Sequence, residues 1–214
     1  MSGLIERCGL WSDEQRRAAQ EVLRQAAGLG VVRVVFADQH GTLRGKTVVA
    51  AELDSVFRLG CTVPSSILAK DTAHRTVFPV FSRGGGFDMP EMQGAGDIVL
   101  VPDPLSFKVL PWATHSGWLL CDLHFADGRP VPFATRQIAR RVLDGLNQRG
   151  FDYVAGLEVE CHIFKLERQH LSADDAGQPG RPPDVSLLTQ GYQLLNEAHY
   201  DGYDPLFEIL RRDL

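Results

Sequence analysis

The sequence has no pair of cysteines at C-x-x-C spacing. Its four cysteines, Cys8, Cys61, Cys121 and Cys161, are scattered among mostly apolar neighbours. That argues against a disulfide scaffold and against a structural zinc site, and predicts reduced, buried thiols in a cytoplasmic protein. Long apolar runs are missing too, so no segment is expected to span a bilayer. The first residues, Met1 to Arg7, lack the basic-then-apolar profile of a secretory signal. Positive charge is in deficit, with a net charge of −5. A nucleic-acid backbone is therefore not an expected partner, and neither is a membrane. Gly84-Gly85-Gly86 lacks the Lys-Ser/Thr of a P-loop and reads as a loop. Ser65-Ser66 lacks a nucleophile elbow. His115, His124, His170 and His199 show no metal-ligand spacing with each other or with a cysteine.

What is present suits a globular chain of one large or two small domains: 214 residues, 44% of them hydrophobic. Residues 1–29 form an N-terminal helical segment. Ser12 and Gln15 make a capping box at the head of a helix whose face carries Ala18, Ala19, Val22, Leu23 and Ala26. The run Val31 to Asp38, rich in β-branched residues, predicts a strand. Gln39-His40-Gly41 turns it into a second strand, Thr42 to Val49, and a short helix follows over Ala51 to Leu59. Further strands are expected at Asp97 to Pro104, Phe107 to Leu110 and Gly117 to Phe125. Residues 60–96 carry no readable periodicity. Helix, hairpin, then returning strands predict an α+β chain whose residues 30–129 form a β-grasp-like domain.

A second domain is expected over 130–214. Thr135 to Gln148 predicts a helix with Ile138, Val142, Leu143 and Leu146 on one stripe. Residues 168–184 read as a loop. A last helix is expected from Asp204, with Pro205 in its first turn and Phe207, Ile209, Leu210 and Leu214 as its apolar residues. One long strand and two helices cannot bury both faces of a sheet, so this domain is expected to be truncated.

Between those helices lies the segment Val154 to Leu166, read as that long strand. Its alternation puts Ala155, Leu157, Val159, Cys161 and Ile163 on a core face. Glu158, Glu160 and His162 fall on the other face, spaced roughly 6–7 Å apart. Two carboxylates that close repel one another, and a divalent cation would offset the repulsion. A solvent-facing polar stripe accounts for the same residues equally well.

Four segments together resemble the glutamine synthetase superfamily, including its γ-glutamyl-amine ligases. Phe36 to Lys46 resembles a hairpin of the form D-x-x-G-x-x-R-G-K. Asp97 to Pro104, continuing to Pro111-Trp112, resembles D-x-x-L-x-P-D-P…P-W. Pro132 to Arg141, with Arg136, Arg140 and Arg141, resembles P-R-x-x-L-R-R. Gly156 to Glu160 resembles G-x-E-x-E-F. The resemblance implies a β-grasp domain followed by the start of a catalytic domain. It implies ATP and two divalent metals, Mg2+ or Mn2+, with glutamate and ammonia or an amine joined through γ-glutamyl phosphate. Glu160 and Glu158 match metal ligands on the glutamate and ATP sides, and Tyr192 matches a tyrosine near the substrate. A homo-oligomer is implied for the full protein, with sites formed between the β-grasp domain of one subunit and the catalytic domain of the next.

Two departures bear on activity. The family loop F-D-G-S-S, whose aspartate deprotonates ammonium, is matched by Thr62 to Ser66, with Val63 at the aspartate. An amine other than ammonia is then the better acceptor. The family's other metal ligands and its ATP segment have no counterpart here, so the chain alone is expected to be inactive. The competing readings are a non-catalytic assembly or binding module and an unrelated metal-dependent hydrolase using Glu158 and Glu160.

Overall fold

The computed structural model describes residues 2–168, 170–193 and 196–213. Two compact units divide the chain, Met1–Tyr153 and Val154–Leu214.

The first unit opens with a one-turn helix α1 (Leu4–Arg7) and the longer α2 (Asp13–Ala26). Ser12 caps α2 as expected: its hydroxyl accepts from the Gln15 N–H, and the Gln15 side chain accepts in return from the Ser12 N–H. Strands β1 (Val31–Ala37) and β2 (Leu43–Val49) form an antiparallel hairpin. A 3-10 turn then leads into α3 (Leu53–Leu59). The remaining strands are β3 (Cys61–Pro64), β4 (Asp97–Pro102), β5 (Lys108–Leu110) and β6 (Ala113–His124).

These strands make one mixed sheet in the order β2-β1-β6-β4-β3, with β5 also paired to β6. Only β1 and β6 run parallel; every other pair is antiparallel. Alternation along β1 buries Val32, Val34 and Phe36. They join Ile98 and Leu100 of β4 and Leu119, Cys121 and Leu123 of β6 in one core. Ile5, Val22, Leu53 and Phe57 of the three helices complete it. Trp11 packs edge-to-face on Phe57 at 5.2 Å and donates its indole N–H to the Pro102 carbonyl at 2.8 Å.

Strand β3 lies in the stretch that carried no readable signal. Four residues are too few to display a period, and three of them, Cys61, Thr62 and Pro64, are not buried. The thiols also differ from expectation: Cys121 is buried, Cys8 and Cys61 are half-buried, and Cys161 is exposed.

Helix α4 (Thr135–Asn147) closes the first unit, and it is not held by its apolar stripe. Ile138, Val142 and Leu143 are exposed. Its first two turns dock instead through polar side chains. The Thr135 hydroxyl donates to the Ala37 carbonyl at 3.3 Å, and the Gln137 carboxamide oxygen accepts from the Leu123 N–H at 2.8 Å.

The second unit departs furthest from the sequence reading. Among the described residues of this unit, strand is found at β7 (Phe164–Leu166) and β8 (Val185–Leu187), which pair antiparallel; β8 begins just after the stretch 168–184 read as loop. Residues 154–163 take no regular secondary structure. The intended core face is solvent-exposed at Ala155, Leu157, Val159 and Cys161, and only Ile163 is partly covered. Among the described residues no strand pairs with this segment, and an extended chain without a ladder has no reason to hold the pleat. Helix α5 (Glu197–Asp213) begins earlier than expected and carries Pro205 inside it. The missed start signal is Asn196, whose side chain accepts from the His199 N–H at 3.3 Å, three residues on. Leu214 lies outside the described residues.

One glycine is dictated by close approach. A Cβ added to Gly45 would lie 2.0 Å from the Val34 carbonyl oxygen across the hairpin. Gly45→Ala is expected to destabilise the protein by about 1–3 kcal/mol, the usual cost of overpacking. Urea unfolding followed by tryptophan fluorescence measures it, and an unchanged midpoint would refute the argument.

Candidate functional site

The hairpin motif has a local physical account. Asp38 is buried at the end of β1. One carboxylate oxygen accepts from the His40 and Thr42 N–H groups at 2.9 and 3.0 Å, while the other takes Arg44 Nε at 2.6 Å. Gly41 supplies the positive φ of the turn, at +78°. Gln39 Nε2 then donates to the carbonyls of Leu68 and Lys70, both at 2.9 Å, and His40 Nε2 meets the same Lys70 carbonyl at 2.9 Å. The hairpin tip thus pins residues 68–70. Burial pushes the Asp38 carboxyl up, but Arg44 and the two N–H groups outweigh it and hold it below the ordinary range.

A second charged cluster fixes α4. Arg136 reaches Asp103 at 2.5 Å and Asp122 at 2.6 Å, and Arg140 reaches Asp122 at 2.7 Å and Asp103 at 3.6 Å. Gln15 of α2 donates to Asp103 at 2.9 Å. Asp103 is nearly buried; desolvation raises its pKa, yet Gln15 and Arg136 bring it below the usual carboxylate range. Sequence reasoning grouped these arginines with a motif but missed their partners, because Asp103 and Asp122 lie 33 and 14 residues away. The cluster has two acids and two guanidiniums already matched, so it is a structural lock and not a vacant anion site.

The proposed metal ligands are placed differently. Glu158 and Glu160 are both exposed in the irregular segment before β7. His162 stacks on Phe164 with ring centroids 6.1 Å apart. Tyr192 is 75% exposed. Among the described residues, no group of three or more His, Cys, Asp or Glu side chains could hold a metal ion. The oxygen donors of Glu158 and Glu160 suit a hard cation in kind, but two unsupported carboxylates do not make the six-coordinate shell that Mg2+ demands. Among the described residues, Glu158 and Glu160 therefore do not by themselves assemble a metal centre.

Elsewhere in this unit, Asp175 gathers the Ser172 N–H and Arg168, which hold its carboxyl down to about 2. Arg181 and Asp184 extend that ion-pair network.

Val63, at the position of the family aspartate, is buried in the core and pairs with Ile98 across β3 and β4. The segment after it lines an open cleft of about 590 Å3, with Ser66, Lys70, Thr76, Val80, Phe81 and Ser82 among its walls. Nothing in the sequence periodicity flagged this cleft, because its walls come from irregular chain. Among the described residues, no helix is long and apolar enough to cross a membrane.

No protein-family model matches the chain. It is 38% identical over 218 aligned positions to the gamma-glutamylanilide synthase of an Acinetobacter species, an alignment covering 98% of this chain and 44% of that protein. It is 33% identical over 191 positions to a gamma-glutamylethanolamide synthetase of Streptomyces coelicolor, covering 88% of this chain and 38% of that protein. A solved structure described as apo GmaS without ligand aligns over 89% of this chain and 38% of its own, with a TM-score of 0.52. At 21% identity that likeness speaks for the mixed α+β fold alone. The chain spans less than half the length of the curated relatives it matches.

Two predictions follow from the buried charge. Arg136→Met leaves Asp103 and Asp122 without their best partner, which costs about 3–5 kcal/mol in buried pairs. The lower end is expected, since Arg140 still reaches both. Retention of full stability in urea would show the pairs to be dispensable. Asp38 and Asp103 have folded pKa values below their unfolded values. Their stabilisation is complete above the unfolded carboxylate pKa of about 3.9 and is lost as pH falls through the lower folded values. The urea midpoint should therefore fall steeply below about pH 4, and Asp103→Asn should flatten that fall.

Proposed function

We propose that this chain, which belongs to the glutamine synthetase superfamily, is the N-terminal portion of an ATP-dependent carboxylate–amine ligase. The full protein would join glutamate to ammonia or an amine through γ-glutamyl phosphate. The observation that carries the reading is 38% identity, in an alignment covering 98% of the chain, to an enzyme named for making a γ-glutamyl amide. The first unit, with its hairpin and its parallel β1–β6 pair, reads as a β-grasp domain. Residues from about 130 onward read as the start of the catalytic domain.

In this reading Glu158 and Glu160 would each give a carboxylate oxygen to a divalent cation, Mg2+ or Mn2+, and the other ligands would come from protein that this chain does not span. Such cations neutralise the charge of a transferring phosphoryl group. Tyr192 is proposed as a substrate contact. The protein would act as a homo-oligomer in the cytoplasm. Exposure of Glu158 and Glu160 supports the reading indirectly, since ligands waiting for a shell must not be sealed in the core.

The test uses the full-length protein with ATP, glutamate and a panel of amines, scored by ADP release and amide formation. Glu158→Gln and Glu160→Gln should each lower kcat/KM on the order of 100-fold or more, the loss expected when a metal's transition-state charge stabilisation is weakened. The 214-residue chain alone should form no amide. Amide formation by that chain would overturn the fragment reading. Absence of amide formation with the full-length protein would leave a non-catalytic assembly or binding module.

A further inference from the structure

Helices α1, α2 and α3 do not close completely on one another. Between them lies an open cavity of about 260 Å3. Its floor is apolar: Ile5, Trp11, Ala19 and Phe57 are buried there, and Leu23 is partly buried beside them. Protein interiors are normally close-packed, so a gap of this size persists only where its walls cannot move inward. Each wall here is fixed from outside the cavity. The head of α2 is held by its capping box and by Gln15, which donates to Asp103 at 2.9 Å. Trp11 is held by its indole N–H on the Pro102 carbonyl at 2.8 Å. The chain entering α1 already lies against the end of α3, where a Cβ added to Gly3 would come within 2.2 Å of the Arg58 carbonyl oxygen. The cavity is therefore preformed, as ligand pockets usually are.

Its mouth is polar. The charged side chains that line it are Glu6 of α1, Arg16 of α2, and Asp54 and Arg58 of α3. Arg16 is paired with Asp13 at 3.0 Å, and Arg58 with Asp54 at 3.1 Å. Among the described residues Glu6 has no ion-pair partner. The other charged side chains of the three helices, Arg7, Asp13, Glu14, Arg17, Glu21 and Arg24, do not line the cavity. Gln20 stands at the same mouth, exposed, and its carboxamide oxygen is a further acceptor.

We infer that this cavity is a binding site for an organic cation with an apolar body, a primary ammonium carried on an apolar group. The apolar body displaces water from the floor of Trp11, Phe57 and Leu23. The ammonium stays at the mouth, where it keeps part of its hydration and meets the Glu6 carboxylate. An anion of the same shape would face Glu6, while both guanidiniums already hold a carboxylate. A neutral isostere would bring only its apolar surface. All of the lining residues belong to the first unit, so the site stands whether or not the whole protein is a ligase.

Isothermal titration of the full-length protein at neutral pH, without ATP or glutamate, tests this with three probes of one shape: phenethylammonium, phenethyl alcohol and hydrocinnamate. Phenethylammonium should bind with a Kd on the order of 1 mM, ordinary for so small a ligand. The alcohol should bind about three- to tenfold more weakly, the scale of one charge pair near water, and hydrocinnamate more weakly still. Glu6→Gln should bring the ammonium down to the level of the alcohol. Gln20→Glu should tighten the ammonium about three- to tenfold and leave the alcohol unchanged. Leu23→Trp, which fills the floor, should abolish binding of all three. If that variant fails to fold, Glu6→Gln and Gln20→Glu decide, since both alter exposed side chains. No binding of phenethylammonium, equal binding of the three probes, or binding of the ammonium unchanged in both Glu6→Gln and Gln20→Glu overturns the inference. None of these results bears on amide formation, which tests the ligase reading separately.

Discussion

The first unit depends on β6. One edge of this strand carries β1 in parallel along Ser116 to Leu120. The opposite edge carries β5 toward its start and β4 at Cys121 to His124. Without it the β1–β2 hairpin and the β3–β4 pair would be separate two-stranded ribbons, each marginal in water. Joining them makes a sheet wide enough to support one core shared with three helices. Parallel pairing of β1 and β6 requires a long crossover, and the intervening chain holds α3, β3 and the aromatic loop. The elements that shape the cleft are therefore part of the connection that the sheet itself needs.

Charge is placed where that sheet ends. Asp38 closes β1, Asp103 follows β4, and Asp122 lies near the end of β6. A buried carboxylate is tolerable only when its oxygens are matched, and each of these is. The consequence is an α4 docked by Thr135, Arg136 and Gln137 and by Arg140, with its apolar residues left outward. Directional polar contacts specify an orientation more narrowly than an apolar stripe would, at little gain in net stability.

The first unit was readable where one residue's neighbours in sequence are also its neighbours in space. The Ser12–Gln15 box, the alternation of β1 and the Asp38–Gly41 turn are of that kind, and each was found where the pattern put it. Asp103 and Asp122 were missed because their partners come from another element. Strand β3 was missed because four residues show no period. The segment around Glu158 and Glu160 shows the reverse error. Its alternation is genuine in sequence, yet alternation states only which face each side chain would take if a ladder formed. Helix α5 taught a similar lesson: Pro205 was weighted as a start signal, and Asn196, the residue that accepts the N–H three positions on, was not.

The acidic segment and the aromatic cleft pose one physical question in opposite senses. Glu158 and Glu160 are exposed carboxylates, which water solvates at low cost. Phe81 is an apolar surface without a cover, and the same solvent penalises it. Water satisfies the first arrangement and not the second. A fold free to repack would turn Phe81 inward, as it has Phe57 and Phe36. It instead holds the loop through Phe87 and Asp88 at positive φ, and through a Lys70 backbone tied to the hairpin tip. Strain and exposure in the same short stretch point to selection for binding over selection for stability.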